Sequence, residues 1–149
     1  MKKFVFSMES VLGLREWEEQ LSRQAFNEIS TEMMLLEEKI RNMKNEAATL
    51  YERWSDSHGE TFTRADRLFL MGGVDSMQRI EGEAKASLED AGKRREKALV
   101  KMTEAVRNKK VVENLKQRRL EEYRVELIRH EALEIEDAFN ARRKERAYS

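Results

Sequence analysis

Not one of the 149 residues is proline, and that absence constrains the fold more than any motif does. At average usage of about 5% a chain of this length would carry roughly seven prolines, each fixing φ and removing a backbone donor. Without them nothing forces the backbone out of a helix. Good helix formers (Glu, Lys, Arg, Leu, Met and Ala) dominate the sequence, so long helices are expected. Charged residues make up 39% and aromatic residues only 7%, which leaves too little apolar surface for a broad globular core. The apolar residues must then form a narrow seam. The predicted fold is all-α, with two long helices forming an antiparallel coiled-coil hairpin and helix two longer than helix one.

Ser7 is placed to cap a first helix, with Glu9 in its first turn, and no breaker follows until Ser55-Asp56-Ser57-His58-Gly59. Thr63 followed by Asp66 resembles a capping box with Asp in place of Glu. These signals give a single domain over 1–149, with a helix over 8–54, a turn over 55–63 and a helix over 64–145. In the first helix Met33, Leu36, Ile40, Met43, Ala47, Leu50 and Trp54 alternate steps of three and four, the spacing of a left-handed coiled-coil seam. Upstream, Leu21, Ala25, Ile29 and Met33 step by four, which predicts a local straightening, and Val11 and Leu14 extend the seam. In the second helix Leu70, Val74, Met77, Ala84, Leu88, Ala91, Ala98, Met102, Ala105 and Val112 keep the rhythm, with Arg95 and Lys109 as polar interruptions. Closing the hairpin near residue 60 pairs residues whose numbers sum to about 120. Leu50 then meets Leu70, Met43 meets Met77, Leu36 meets Ala84 and Met33 meets Leu88.

Charge supports the antiparallel pairing. Residues 9–52 hold ten acidic and five basic side chains, whereas 93–119 hold eleven basic and three acidic. Each exposed pair adds under about 1 kcal/mol, so complementary flanks bear on pairing direction more than on stability. Beyond roughly residue 116 the second helix has no partner and would project about 45 Å at 1.5 Å per residue. Leu120, Tyr123, Leu127, Ile128, Ile135 and Phe139 form a ragged apolar stripe there, which a lone helix cannot bury and another protein is expected to cover.

Several chemistries find no residues to carry them. No Gly-x-x-x-x-Gly-Lys-Ser/Thr loop occurs, so nucleotide hydrolysis is not expected. His130-Glu131 begins like a zinc-protease motif, but Glu134 stands where the second histidine is needed, and only His58 remains. No catalytic residue, metal or cofactor is expected. Zero cysteines exclude disulfides, and the run Phe4-Val5-Phe6 after Lys2-Lys3 is too short for an export signal or a membrane span. Twenty-nine basic residues balance twenty-nine acidic ones, leaving no net field toward nucleic acid or membrane.

The basic stretch Lys93-Arg94-Arg95, Lys109-Lys110 and Arg118-Arg119 has three readings: a nucleic-acid face, a docking surface for an acidic protein, or a solvated face matched by the acidic first helix. Missing interleaved aromatics and motifs favour the last. Gly72-Gly73 marks either fraying near the tip or a bend beside exposed Leu68 and Phe69. Trp54 fits the seam, Tyr51 falls outside it and is favoured for binding, and Trp17 sits between seam positions.

The opening Phe4-Val5-Phe6-Ser7-Met8-Glu9-Ser10-Val11-Leu12-Gly13-Leu14-Arg15 resembles the Phe-x-Phe-x-Leu-x-x-Val-Leu-x-Leu-Arg start of the flagellar export proteins called FliJ, with Met8 in place of leucine. Leu115-Lys116-Gln117-Arg118-Arg119, Tyr123 and the acidic run from Glu131 through Asp137 are similar to that family's distal pattern, with the last acidic pair inverted. The resemblance spans essentially the whole chain. It implies a non-enzymatic cytoplasmic component of the flagellar type III export apparatus, similar to the coiled-coil γ stalk of rotary ATPases. Such a component would bind the hexameric export ATPase and its regulator, promote ATPase assembly or turnover, and contact the cytoplasmic domain of the export gate and the export chaperones. It would meet the inner membrane only through those partners. By position, the tip face around Leu50, Tyr51, Phe69 and Leu70 is the candidate gate surface, and the end bearing Arg118, Arg119 and Tyr123 the candidate ATPase surface. The stalk of a virulence type III secretion system and a static coiled-coil scaffold remain alternatives. Gly72-Gly73 is not expected from the family.

Overall fold

A computed structural model describes residues 3–56 and 63–148. Two helices make up the fold, α1 (Glu9–Asp56) and the longer α2 (Arg64–Ala147), packed against each other with no strand among the described residues. The chain divides into two units: Met1–Gln20 with Thr103–Ser149, and Leu21–Met102. Both helices contribute to each unit.

The helix starts follow from local hydrogen bonding. The Leu12 amide donates to the Met8 carbonyl at 3.0 Å, so the cap position of α1 falls on Met8 rather than Ser7, while Glu9 stands in the first turn as expected. At the start of α2 the box is reciprocal. The Asp66 amide donates to Thr63 Oγ1 at 3.2 Å, and the Thr63 amide and hydroxyl donate to Asp66 Oδ2 at 3.1 and 2.6 Å. Those bonds, the Thr63 hydroxyl first, hold the Asp66 carboxyl below its ordinary value of 3.8. Of the expected turn over 55–63, Ser55 and Asp56 remain helical, and 57–62, including His58 and Gly59, lie outside the described residues. α2 runs unbroken through Gly72 and Gly73, where an added Cβ would meet only open space, so neither glycine answers to a close approach within the chain.

In the unit Leu21–Met102, α1 contributes Phe26, Ile29, Met33, Leu36, Ile40, Met43, Ala47, Leu50 and Trp54 to the seam, all buried or half-buried. From α2 come Leu70, Val74, Met77, Ala84, Leu88, Ala91 and Ala98, with Ala84 and Ala91 only 3% and 0% exposed. Alanine recurs every seventh residue at 84, 91, 98 and 105, and each is buried. Such a row of single methyls allows the opposite helix to approach closely. Alongside it, an added Cβ on Gly92 would stand 3.9 Å from Met33 Cε. Across the pair, Arg94 binds Glu32 through two bonds of 2.8 and 3.1 Å.

In the other unit Phe6, Leu12 and Val112 form a small core with Phe4, Val11 and Leu115 against it. Along the two helices the expectations from sequence need two corrections. Leu14 and Leu21 are exposed at 49% and 45%, and Ala25 is exposed too, so α1 does not straighten onto a four-residue step. Its seam instead keeps strict three-four spacing through Leu12, Arg15, Glu19, Ser22 and Phe26. The apolar-only pattern missed it because polar residues occupy three of those positions. Glu19, only 7% exposed, is neutralised by Lys109, whose Nζ lies 2.8 Å from Glu19 Oε2.

The second correction concerns register. Glu32 with Arg94, Glu19 with Lys109 and Glu9 with Lys116 have numbers summing to about 125–128 rather than about 120. Leu50 therefore does not sit level with Leu70, nor Met33 with Leu88. Asp56 falls level with about residue 69, so the first turn of α2 runs past the end of α1. The free extension also begins later than residue 116, because the N-terminal segment lies along α2 as far as Tyr123, which stacks on Phe4. From Ile128 to Tyr148 every residue is exposed.

Candidate interaction surfaces

At the tip of the unit Leu21–Met102, α1 ends with Tyr51 and Trp54 on adjoining turns, and the second to fourth turns of α2 bring Leu70, Met71, Val74 and Asp75 beside them. These residues and Arg67 line a groove of about 230 Å³. Of the four tip residues singled out from sequence, Tyr51 and Leu70 meet in this groove, whereas Leu50 is half-buried in the seam and Phe69 lies outside the groove at 86% exposure. Trp54 serves both seam and groove. Arg67 and Asp75 were not singled out because neither lies on the apolar stripe, and only the register of α2 against α1 sets them flanking the aromatic pair. Apolar walls with one cation and one anion at the rim suit a short amphipathic protein segment. No group of His, Cys, Asp or Glu able to hold a metal occurs among the described residues.

In the unit containing the chain ends, a base is built where the N-terminal segment meets α2. The Phe4 and Tyr123 rings stand 5.5 Å apart at 50°, and Lys116 Nζ lies 5.9 Å from the centre of the Phe6 ring while pairing with Glu9 at 2.9 Å. Tyr123 is half-buried, with its ring tilted against that of Phe4. Arg118 and Arg119 lie on the exposed surface one turn before it, with Arg119 in a weak 3.1 Å pair with Glu122. The three sequence candidates fall together at this end, two as exposed cations and one as part of the base they stand on.

The remaining basic side chains are largely engaged. Arg94 is held by Glu32 and Asp90, Lys93 by Glu89, and Arg95 lies 5.1 Å from the centre of the Phe26 ring. The Glu32 carboxyl is held below its ordinary 4.5, chiefly by its hydrogen bond from Arg94. Lys109 is pushed above its ordinary 10.5, chiefly by its bond to Glu19. His130 Nδ1 lies 3.2 Å from Glu134 one turn on. No helix among the described residues is long and apolar enough to cross a membrane.

Comparison with curated proteins and with solved structures gave no match. A family model described as "Flagellar FliJ protein" matches residues 4–147.

Proposed function

The chain belongs to the FliJ family of flagellar proteins, and from that premise we propose that it acts as a non-catalytic stalk in the flagellar export apparatus, binding the hexameric export ATPase and promoting its assembly and turnover. The observation that supports this most is the end of α2. Past the Phe4–Tyr123 contact the helix continues from Ile128 for about 20 residues, or about 30 Å, each of them exposed. A single exposed helix rising from a packed base is the shape that can enter a ring of subunits. Arg118 and Arg119 stand where that helix leaves the base, and two exposed cations there suit an acidic rim on the ATPase. In the unit Leu21–Met102 the Tyr51–Trp54–Leu70 groove, with Phe69 beside it, serves the cytoplasmic domain of the export gate, and export chaperones dock on the same stalk. The protein works in the cytoplasm and reaches the inner membrane only through those partners.

The test is the hydrolysis rate of the cognate ATPase under conditions that form hexamers, with and without the full chain. Addition raises the rate, and Arg118→Ala with Arg119→Ala lowers the stimulation several-fold while leaving the helical circular dichroism unchanged. An ATPase indifferent to the parent chain overturns the proposal.

A further inference from the structure

α2 carries a second heptad pattern that the hairpin does not use. Among the residues near the chain ends, the side of α2 turned to α1 and the N-terminal segment runs through Val112, Lys116, Leu120, Tyr123 and Leu127, all buried or half-buried. About 140° further round the helix, Val125, Ile128, Ala132, Ile135 and Phe139 recur at steps of three, four, three and four. That is the spacing of another coiled-coil seam. The four large side chains are exposed at 48%, 65%, 71% and 67%.

We propose that this stripe is a dimerisation seam, occupied by the same segment of a second copy of the chain running antiparallel to the first. The charges beside the stripe single out this occupant. Take Val125, Ala132 and Phe139 as a positions and Ile128 and Ile135 as d positions. An antiparallel copy then layers Ile128 on Phe139 of the second copy and Ala132 on its Ile135, about a two-fold axis, with Val125 at each end of the seam beside the aliphatic stem of Arg142. In that register the flanking e positions set Arg129 opposite Glu136 and Glu122 opposite Arg143, and the g positions set Arg124 opposite Glu145. Every charged pair is of opposite sign, and symmetry repeats each one. A parallel copy would instead oppose Arg124 to Arg129 and Glu131 to Glu136, both repulsive. The stripe and its borders are complementary to themselves in one direction only. The inference rests on this phase and charge pattern alone and concerns the chain free of any ATPase, since a helix paired in this way cannot also stand single within a ring.

Sedimentation equilibrium of the full-length chain from about 5 to about 200 μM tests it. A monomer–dimer equilibrium is expected, weakening as salt rises. Arg129→Glu replaces two attractive pairs with two repulsive ones and weakens the dimer at least tenfold. Adding Glu136→Arg restores it, since the exchanged charges again oppose each other between copies. Within one chain positions 129 and 136 are two turns apart and do not meet, so rescue reports pairing between molecules. A monomer throughout the range, a dimer that Arg129→Glu strengthens as a parallel arrangement requires, or a double variant that fails to re-associate would each overturn the proposal.

Discussion

Replacing Ala91 measures how closely the two helices approach in the unit Leu21–Met102. Its side chain has no exposed surface, and it sits in the row of alanines that lines α2. Leucine there adds three carbons. In a seam with slack, each would bring about 0.8 kcal/mol of burial, raising stability by roughly 2.4 kcal/mol. In a seam closed down to a methyl, overpacking costs about 1–3 kcal/mol instead. Unfolding 149 residues at about 2.1 cal/mol/K per residue gives an entropy near 0.3 kcal/mol/K. The two cases therefore differ in sign, a rise of about 8 °C against a fall of about 6 °C for 2 kcal/mol. Glycine at the same position loses about 1 kcal/mol of helix propensity and about 0.8 kcal/mol of methyl burial, a fall of about 6 °C. Ala86→Leu, on the exposed side of α2, should shift stability by less than about 0.5 kcal/mol. Thermal melts followed by far-ultraviolet circular dichroism distinguish the outcomes. If Ala91→Leu melts higher than the parent, close approach through the alanine row is wrong.

Three further perturbations address polar features of the fold. Glu19→Leu or Lys109→Leu alone should lower the melting temperature, since each removes the other charge's partner across the seam, whereas the double substitution should recover or exceed the parent value; a double variant less stable than both singles refutes the pairing. The Glu32 carboxyl is held below 4.5 in the folded chain, so its contribution is present above that value and is lost as pH falls through the lowered one. The melting difference between parent and Glu32→Gln should therefore be positive at neutral pH and vanish in acid, and a difference constant with pH would contradict the Arg94 pairing. Thr63→Ala removes both bonds of the Thr63 hydroxyl to Asp66, leaving only the one from the backbone amide of residue 63, and should cost about 1 kcal/mol. Loss of hydrogen-exchange protection confined to the first turn of α2 would locate the effect.

The second seam, from Leu70 to Val112, was legible because apolar residues occupy most of its heptad positions. So was the capping box, since Thr63 and Asp66 carry their hydrogen-bonding partners within three residues. The upper half of the first seam was not legible. Arg15, Glu19 and Ser22 read as surface in any apolar count, and the Lys109 ammonium that pairs with Glu19 inside comes from the other helix. Register escaped for a related reason. Loop length bounds it, but several residues of α2 run past the end of α1 before pairing starts, and no local signal marks where it does. At the tip, Tyr51 could be singled out as an aromatic off the stripe. Its grouping with Arg67 and Asp75 depends on that same register.

The alanine row and the Glu19–Lys109 pair have a joint consequence for how the chain finds its alignment. Four identical methyls at identical intervals are a ruler without numerals. Sliding one helix by seven residues would set methyl against the same kind of neighbour, with little to mark the error. The ion pairs supply the missing numeral: one step one way Glu19 would confront Met102, which cannot answer its charge, and one step the other way it would gain Lys116 only as Glu9 exchanged that lysine for Tyr123. A chain lacking those pairs should still zip, but into a mixture of offsets, losing its single alignment before it loses its helices.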